Sequence, residues 1–160
     1  MSTNNYILNL LNIKDENIHI ITECKEKMIK EKNYKIIEGV LTYNPEFCPC
    51  CKNVNHSTND IIKWGFRKNC IVKIPKRGNC LTRLILHKQR FFCKHCNNTF
   101  IAETNLVDKN KNISNNTNLQ IRLEIMEKQS EKDIAKRMDV SVSVIDRILN
   151  EISSNTVLRH

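Results

Sequence analysis

Cys48-Pro49-Cys50-Cys51 and Cys93-Lys94-His95-Cys96 frame the stretch whose reading decides the fold. Each is a C-x2-C pair, which in a tight turn can aim two thiolates at one ion. Two such pairs on separate turns complete a closed tetrahedral site with metal–sulfur bonds of roughly 2.3 Å. Four protein ligands leave no position for a substrate, so the expectation is one structural Zn2+ held by Cys48, Cys51, Cys93 and Cys96. The 41 residues from Lys52 to Phe92 exceed the commonest finger spacing, and a β-rich insert is expected to fill them. Cys50 could replace Cys48 or Cys51, although two adjacent cysteines do not readily both point inward, and His95 could also substitute. A redox pair would need a thioredoxin-like βαβ setting, which neither pair has. Cys24, Cys70 and Cys80 have no partner pair and read as small buried hydrophobes.

The insert is also where the charge sits. The 160-residue chain carries 26 Lys+Arg against 17 Asp+Glu, a net charge of +9. Between Ile61 and Ala102 there is no acidic residue, while Lys63, Arg67, Lys68, Lys73, Lys76, Arg77, Arg83, Lys88, Arg90 and Lys94 all fall there. The rest of the chain is close to neutral. A local excess of this kind suits a surface facing DNA or RNA. The bland alternative is a solvated sheet face.

Outward from the insert, three segments and a tail are expected. Residues 1–44 read as a helix near Tyr6–Leu11 and a β-hairpin, with Ile18 to Ile29 and Tyr34 to Tyr43 flanking Glu31-Lys32-Asn33; Lys25 to Lys32 could be helical instead. Residues 45–107 read as the zinc ribbon, with strands at Ile61–Phe66, Cys70–Ile74, Leu81–Phe92 and Thr99–Ile101. Lys68-Asn69 and Pro75 to Asn79 separate the first three as turns. Residues 108–152 change to a helical period after a polar linker. Leu119, Leu123 and Met126 recur at that period, as do Ile121 and Ile125. Residues 153–160 carry no structural signal. The fold class expected is therefore α+β, a β-rich zinc ribbon followed by a small all-helical domain.

That last domain has a particular pattern. Ser130 is placed to cap a helix, with Asp133 three residues on, as in a capping box. Ile134 and Met138 would face a core, and Ala135 would let two helices approach. Asp139 falls at a turn needing positive φ, which Asp tolerates better than most residues. Val140 would plug the core and Ser141 cap the next helix, with Ile145 and Ile148 returning inward and Leu149 and Ile152 extending the stripe. These are the positions a helix-turn-helix requires. Its second helix, Val142 to about Glu151, would present Ser141, Val142, Ser143, Asp146 and Arg147 to DNA. An ordinary αα-hairpin is the competing interpretation.

In wording and order these motifs resemble the transposases of the bacterial ISL-three insertion-sequence group. The similarity runs through Leu41-Thr42-Tyr43, Cys48-x2-Cys51, Lys63-Trp64-Gly65-Phe66-Arg67, Lys88-Gln89-Arg90-Phe91-Phe92-Cys93-Lys94-His95-Cys96 and Thr99 to Val107. It ends with Ser130 to Ala135 and Val140-Ser141 leading to Arg147. Val144 departs from it, standing where that group tends to have Thr, and the chain drifts from the pattern after Ile152. The resemblance implies an N-terminal zinc ribbon and helix-turn-helix that recognise terminal inverted repeats. It also implies that a ribonuclease-H-like catalytic domain would follow, so a truncated product without catalysis is expected.

Three functions follow as expectations. The first is recognition of double-stranded DNA at transposon ends, with phosphate contacts from Lys63, Arg67, Lys68, Lys88 and Arg90 and sequence preference from Ser141, Val142, Ser143 and Arg147. Its protein partners would be the full-length transposase or a second copy. The second is catalysis, which would need carboxylates converging on two metal ions; the acids instead cluster at Glu23–Glu31 and Glu124–Asp139. The third is a zinc-ribbon module binding RNA or protein, in which Trp64, Phe66, Phe91 and Phe92 stack bases rather than form a small core. No run approaches the roughly 18 apolar residues of a membrane span. Met1 to Asn5 is uncharged, unlike the start of a signal peptide. A bacterial cytoplasmic, nucleoid-associated location is expected, where cysteines bind metal rather than pair as disulfides.

Overall fold

The computed structural model describes residues 3–56, 59–77, 80–109, 111–127 and 129–157. Its architecture is α+β. Helix α1 (Thr3–Leu10) precedes strands β1 (Ile18–Ile20), β2 (Lys25–Ile29), β3 (Lys32–Leu41), β4 (Ile61–Arg77), β5 (Cys80–Cys93) and β6 (Thr99–Ile101). Helices α2 (Asn115–Met126), α3 (Glu131–Met138) and α4 (Val142–Val157) follow. No described helix is long and apolar enough to cross a membrane.

The N-terminal hairpin forms, one step earlier than expected. Ile29 pairs with Lys32, so the turn is Lys30-Glu31. Their φ values of 48° and 64° suit the right-handed twist of the flanking strands. Lys25–Ile29 is strand rather than helix, paired throughout with β3.

The boundary expected at residues 44 and 45 does not separate two folds. All six strands form one sheet in the order β1-β3-β5-β4, with β2 on β3 and β6 on β5. β3 runs parallel to β5 from Tyr34↔Leu81 to Leu41↔Lys88. One core consequently takes Leu8 and Leu11 from the first helix and the loop after it, and Ile37 and Leu41 from β3. It also takes Val72, Leu84, Leu86 and Phe91 from the long hairpin, with Leu106 and Val107 beyond it.

The turn expected at Lys68-Asn69 is a bulge inside a single long β4. Asn69 has φ 59° and Gly65 φ 80°, and the pairing slips beside each. A bulge needs the same left-handed residue that a turn needs, but leaves the strand running on. Pro75 lies within β4, which is tolerated because β4 ends the strand order and its backbone is not wedged between two ladders. Gly78 and Asn79 of the expected turn lie outside the described residues.

Residues 111–118 of the expected polar linker are not free. Ile113 bridges Lys73 of β4, and the Ser114 amide and Thr117 hydroxyl both donate to the Lys73 carbonyl, at 2.9 and 3.0 Å. Ser114 then caps α2, its Oγ accepting from the Thr117 amide at 3.1 Å. In α2 it is Ile121 that is buried, while Leu119, Leu123 and Met126 stay exposed. Ile121 joins Ile134, Ala135, Met138, Ile145 and Ile148 in a second core. Arg122 pairs with Glu151, and Arg137 with Glu124, tying α2 to α4 and to α3. Ser130 stands at the α3 N-cap position, but its hydroxyl makes no capping bond there. α4 continues past Glu151 to Val157, into the segment expected to be a tail.

Candidate metal centre and cationic cleft

Two turns of the same design build the cysteine cluster. In the first, the Cys48 amide donates to the Asn53 carbonyl at 2.9 Å, and the Lys52 amide returns to the Cys48 carbonyl at 2.8 Å. In the second, Cys93 donates to Asn98 and Asn97 returns to Cys93, both at 2.9 Å. Lys52 and Asn97 hold matching φ values of 62° and 60°. Phe47↔Val54 closes the first turn as Phe92↔Thr99 closes the second. Repeated geometry of this kind presents two sulfurs from each turn at one point.

The four sulfurs of Cys48, Cys51, Cys93 and Cys96 lie within 4.8 Å of one another. Cys48 faces Cys96, and Cys51 faces Cys93, each at 3.8 Å. A tetrahedron with bonds of about 2.3 Å has edges of roughly 3.8 Å, so the donors fit a closed four-thiolate metal site. Cys48 and Cys93 belong to the main core, which anchors the site to the sheet. Burial works against ionising Cys48, but the amides of Cys51 and Cys50 and the neighbouring thiols outweigh it, lowering its pKa to about 7. The Cys50 amide donates to the Cys48 sulfur at 3.4 Å, while its own thiol is exposed outside the cluster. His95 is likewise exposed and outside it. Cys24 is exposed and Cys70 and Cys80 are half-buried, so none of the three is the buried hydrophobe expected; Cys24 lies in a loop, Cys70 on the end strand β4, and Cys80 at the first position of β5.

The basic residues divide rather than form one face. Arg67, Lys68, Lys88 and Arg90 line a cleft of about 1250 Å³ between the bulged part of β4 and the segment after β6. Among the described residues, none of these four side chains has an ionic or hydrogen-bonding partner. Lys109 and Lys111 also border the cleft, but are paired with Glu103 and Asp108 at 3.8 and 3.6 Å. Lys63 is exposed on β4 outside it.

Lys73 and Arg83 serve a different purpose. Their cross-strand pairing puts them on the face opposite Val72 and Leu84, where they meet the turn between α3 and α4. That turn is Asp139, at φ 58° and ψ 43° as expected. Arg83 donates to Asp139 Oδ2 at 2.8 and 3.3 Å, and Tyr34 Oη donates to Oδ1 at 3.0 Å. Lys73 Nζ donates to the Asp139 carbonyl at 2.5 Å. Arg83 also lies over the Tyr34 ring, 4.3 Å from its centroid. Burial first, then Asp139 as acceptor and as charge, pushes the Tyr34 phenol up. Burial pushes the Lys73 ammonium down, partly opposed by Asp139. Three strands thus grip one turn residue, a role for Asp139 that its helical context alone did not signal.

Beyond this turn, Ser141, Val142, Ser143, Asp146 and Arg147 are all exposed at the start of α4, and Ser141 bonds the Ser143 hydroxyl at 2.9 Å. Ile145 and Ile148 point inward, with Val140, Leu149 and Ile152 packed beside them. Among the aromatics, Phe91 is buried between Tyr43 and Phe100, whereas Trp64 and Phe66 are exposed. No family model matches the chain, and neither a curated protein nor a solved structure does.

Proposed function

We propose that this chain is the DNA-recognition part of an insertion-sequence transposase, a zinc ribbon joined to a helix-turn-helix that reads terminal inverted repeats. The observation that carries nucleic-acid binding is the cleft in which Arg67, Lys68, Lys88 and Arg90 stand without protein partners. Four unpartnered cations lining one cleft create a positive potential that attracts a polyanion. The ion is Zn2+, favoured by four thiolates in tetrahedral spacing and acting as a staple between the two turns. α3 and α4 serve as the helix-turn-helix, with Ser141, Val142, Ser143 and Arg147 of the exposed α4 start reading base edges. The transposase assignment draws on the ordered resemblance of the sequence motifs.

The chain's part is binding rather than strand cleavage. Three of its acids already serve the fold: Asp139 holds Arg83, and Glu124 and Glu151 hold Arg137 and Arg122. A gel shift with duplexes carrying the element's terminal repeats tests the proposal. Preferred binding over random duplex is expected. Four phosphate contacts predict a slope near −3.6 for log K against log salt. Equal binding to random DNA at every salt concentration refutes sequence recognition, and a salt-independent interaction refutes the cleft.

A further inference from the structure

β4 is built to hold an indole outward. Lys63 pairs with Phe91 and Phe66 with Gln89, so Trp64 and Gly65 together oppose Arg90 in a bulge. Gly65 takes φ 80°, a conformation that side-chain-bearing residues rarely adopt. Gln89, only 3% exposed, pins this bulge by donating from Nε2 to the Gly65 carbonyl at 2.7 Å. The Gln89 Oε1 is in turn held by the Thr42 hydroxyl at 3.2 Å. A buried amide with both ends engaged thus fixes the backbone beside Trp64. Bulges re-aim side chains in this way next to working surfaces.

Trp64 is 54% exposed, yet not loose. It rests on Phe92, with ring centroids 5.3 Å apart and planes at 33°. One ring is therefore backed by another while much of the indole meets solvent. Arg90 lies two residues from Phe92 on the same strand, hence on the same face, and it also lines the cationic cleft. β4 and β5 carry no acidic residue, and the two acids that border the cleft, Glu103 and Asp108, are paired with Lys109 and Lys111.

Resting on the DNA-binding function proposed above, we infer that Trp64, backed by Phe92, is a stacking platform for an unpaired nucleobase. The phosphates of that strand run past Arg90 into the cleft. A base within a duplex has both faces covered by its neighbours, whereas a frayed end or single strand offers a free π face beside a negative backbone. Stacking plus cations is the chemistry that captures such strands without sequence preference.

Trp64 is the sole tryptophan of the chain, so its emission reports this site alone. The zinc-loaded full chain is titrated with a blunt terminal-repeat duplex, the same duplex bearing a short thymidine tail, oligo-dT and oligo-U. Trp64 emission and the anisotropy of labelled strands are both read. Saturable quenching by the tailed duplex and oligo-dT is expected, with little by the blunt duplex. Trp64→Ala should weaken tail binding by roughly 5- to 150-fold and leave blunt-duplex binding unchanged, while Trp64→Phe restores most of the loss. Equal zinc content and equal blunt-duplex binding establish that the variants fold. Blunt-duplex binding without any effect of the tail on quenching or affinity overturns the platform and leaves the DNA-binding function standing. Quenching by single strands with no duplex binding supports the platform and removes the duplex function. Equal quenching by oligo-U supports a platform indifferent to the sugar, and failure of every strand to bind overturns both.

Discussion

Replacing Asp139 by glycine separates two things the residue does. Glycine accepts φ 58° without the steric cost that other residues meet in the left-handed region, a gain of about 1 kcal/mol. Against this stands the loss of the Arg83 pair at 2.8 Å, whose side chains are only 23% and 14% exposed. Charge-assisted hydrogen bonds in such a setting contribute about 1.5–3 kcal/mol, and the Tyr34 bond a further ~1 kcal/mol. The net expectation for Asp139→Gly is destabilisation by about 2 kcal/mol. For a domain of this size that is a melting temperature lower by roughly 5 °C. Asp139→Asn keeps an acceptor for Tyr34 and tolerates the turn, so it should fall between the two. Urea unfolding of the zinc-loaded protein, with Arg83→Met and the double variant completing a cycle, measures the coupling directly. An Asp139→Gly protein as stable as the parent, with no coupling to Arg83, would show that the turn's conformation is the residue's whole contribution.

Three further outcomes are expected. Cys48→Ser or Cys93→Ser should abolish stoichiometric zinc and unfold the core, whereas Cys50→Ser should retain a full equivalent by elemental analysis; retention of metal by the first two contradicts the four-sulfur site. The pair Lys88→Gln and Arg90→Gln should reduce the salt slope of DNA binding by about 1.8, and an unchanged slope places the phosphates elsewhere. Truncating Ile134, fully buried in the helical core, to alanine should cost about 2–5 kcal/mol; a loss below 1 kcal/mol by chemical denaturation would mean that α3 is not held by that core.

The parts of the molecule legible in its sequence are those with local chemistry. The cysteine spacing specifies the cluster, since each knuckle is closed by residues no more than seven apart. Asp139 marks its turn because few side chains tolerate positive φ, and Ile134, Met138, Ile145 and Ile148 mark a helical core by their period. What escapes is set by distant partners. Nothing near Ile36 or Leu84 announces that β3 will lie parallel to β5, so the apparent boundary after Asn44 was only a change in composition. Asn69 carries the same positive φ in a bulge as in a turn, and only the register distinguishes them. Interleaved stripes on α2 let either Leu119 or Ile121 face inward, and the choice falls to α3 and α4. Lys73 and Lys68 are alike in sequence, yet one caps a half-buried turn and the other meets solvent. The bulge beside Trp64 is held by Gln89, a residue whose polarity gave no hint of burial.

The parallel pairing of β3 with β5 also bears on how the polypeptide is made. β3 ends at Leu41, but its neighbour begins only at Cys80, and the second metal knuckle closes after Cys96. A nascent chain therefore leaves the ribosome with α1 and the first hairpin lacking the strand that completes their core. Long-range pairing of this sort is slow and leaves apolar surface open to aggregation meanwhile. The four-cysteine cluster is likewise complete only once Cys96 has emerged, so a metal bound there would latch a sheet already begun. Scarcity of the ion should accordingly harm freshly synthesised molecules well before it dismantles those already assembled.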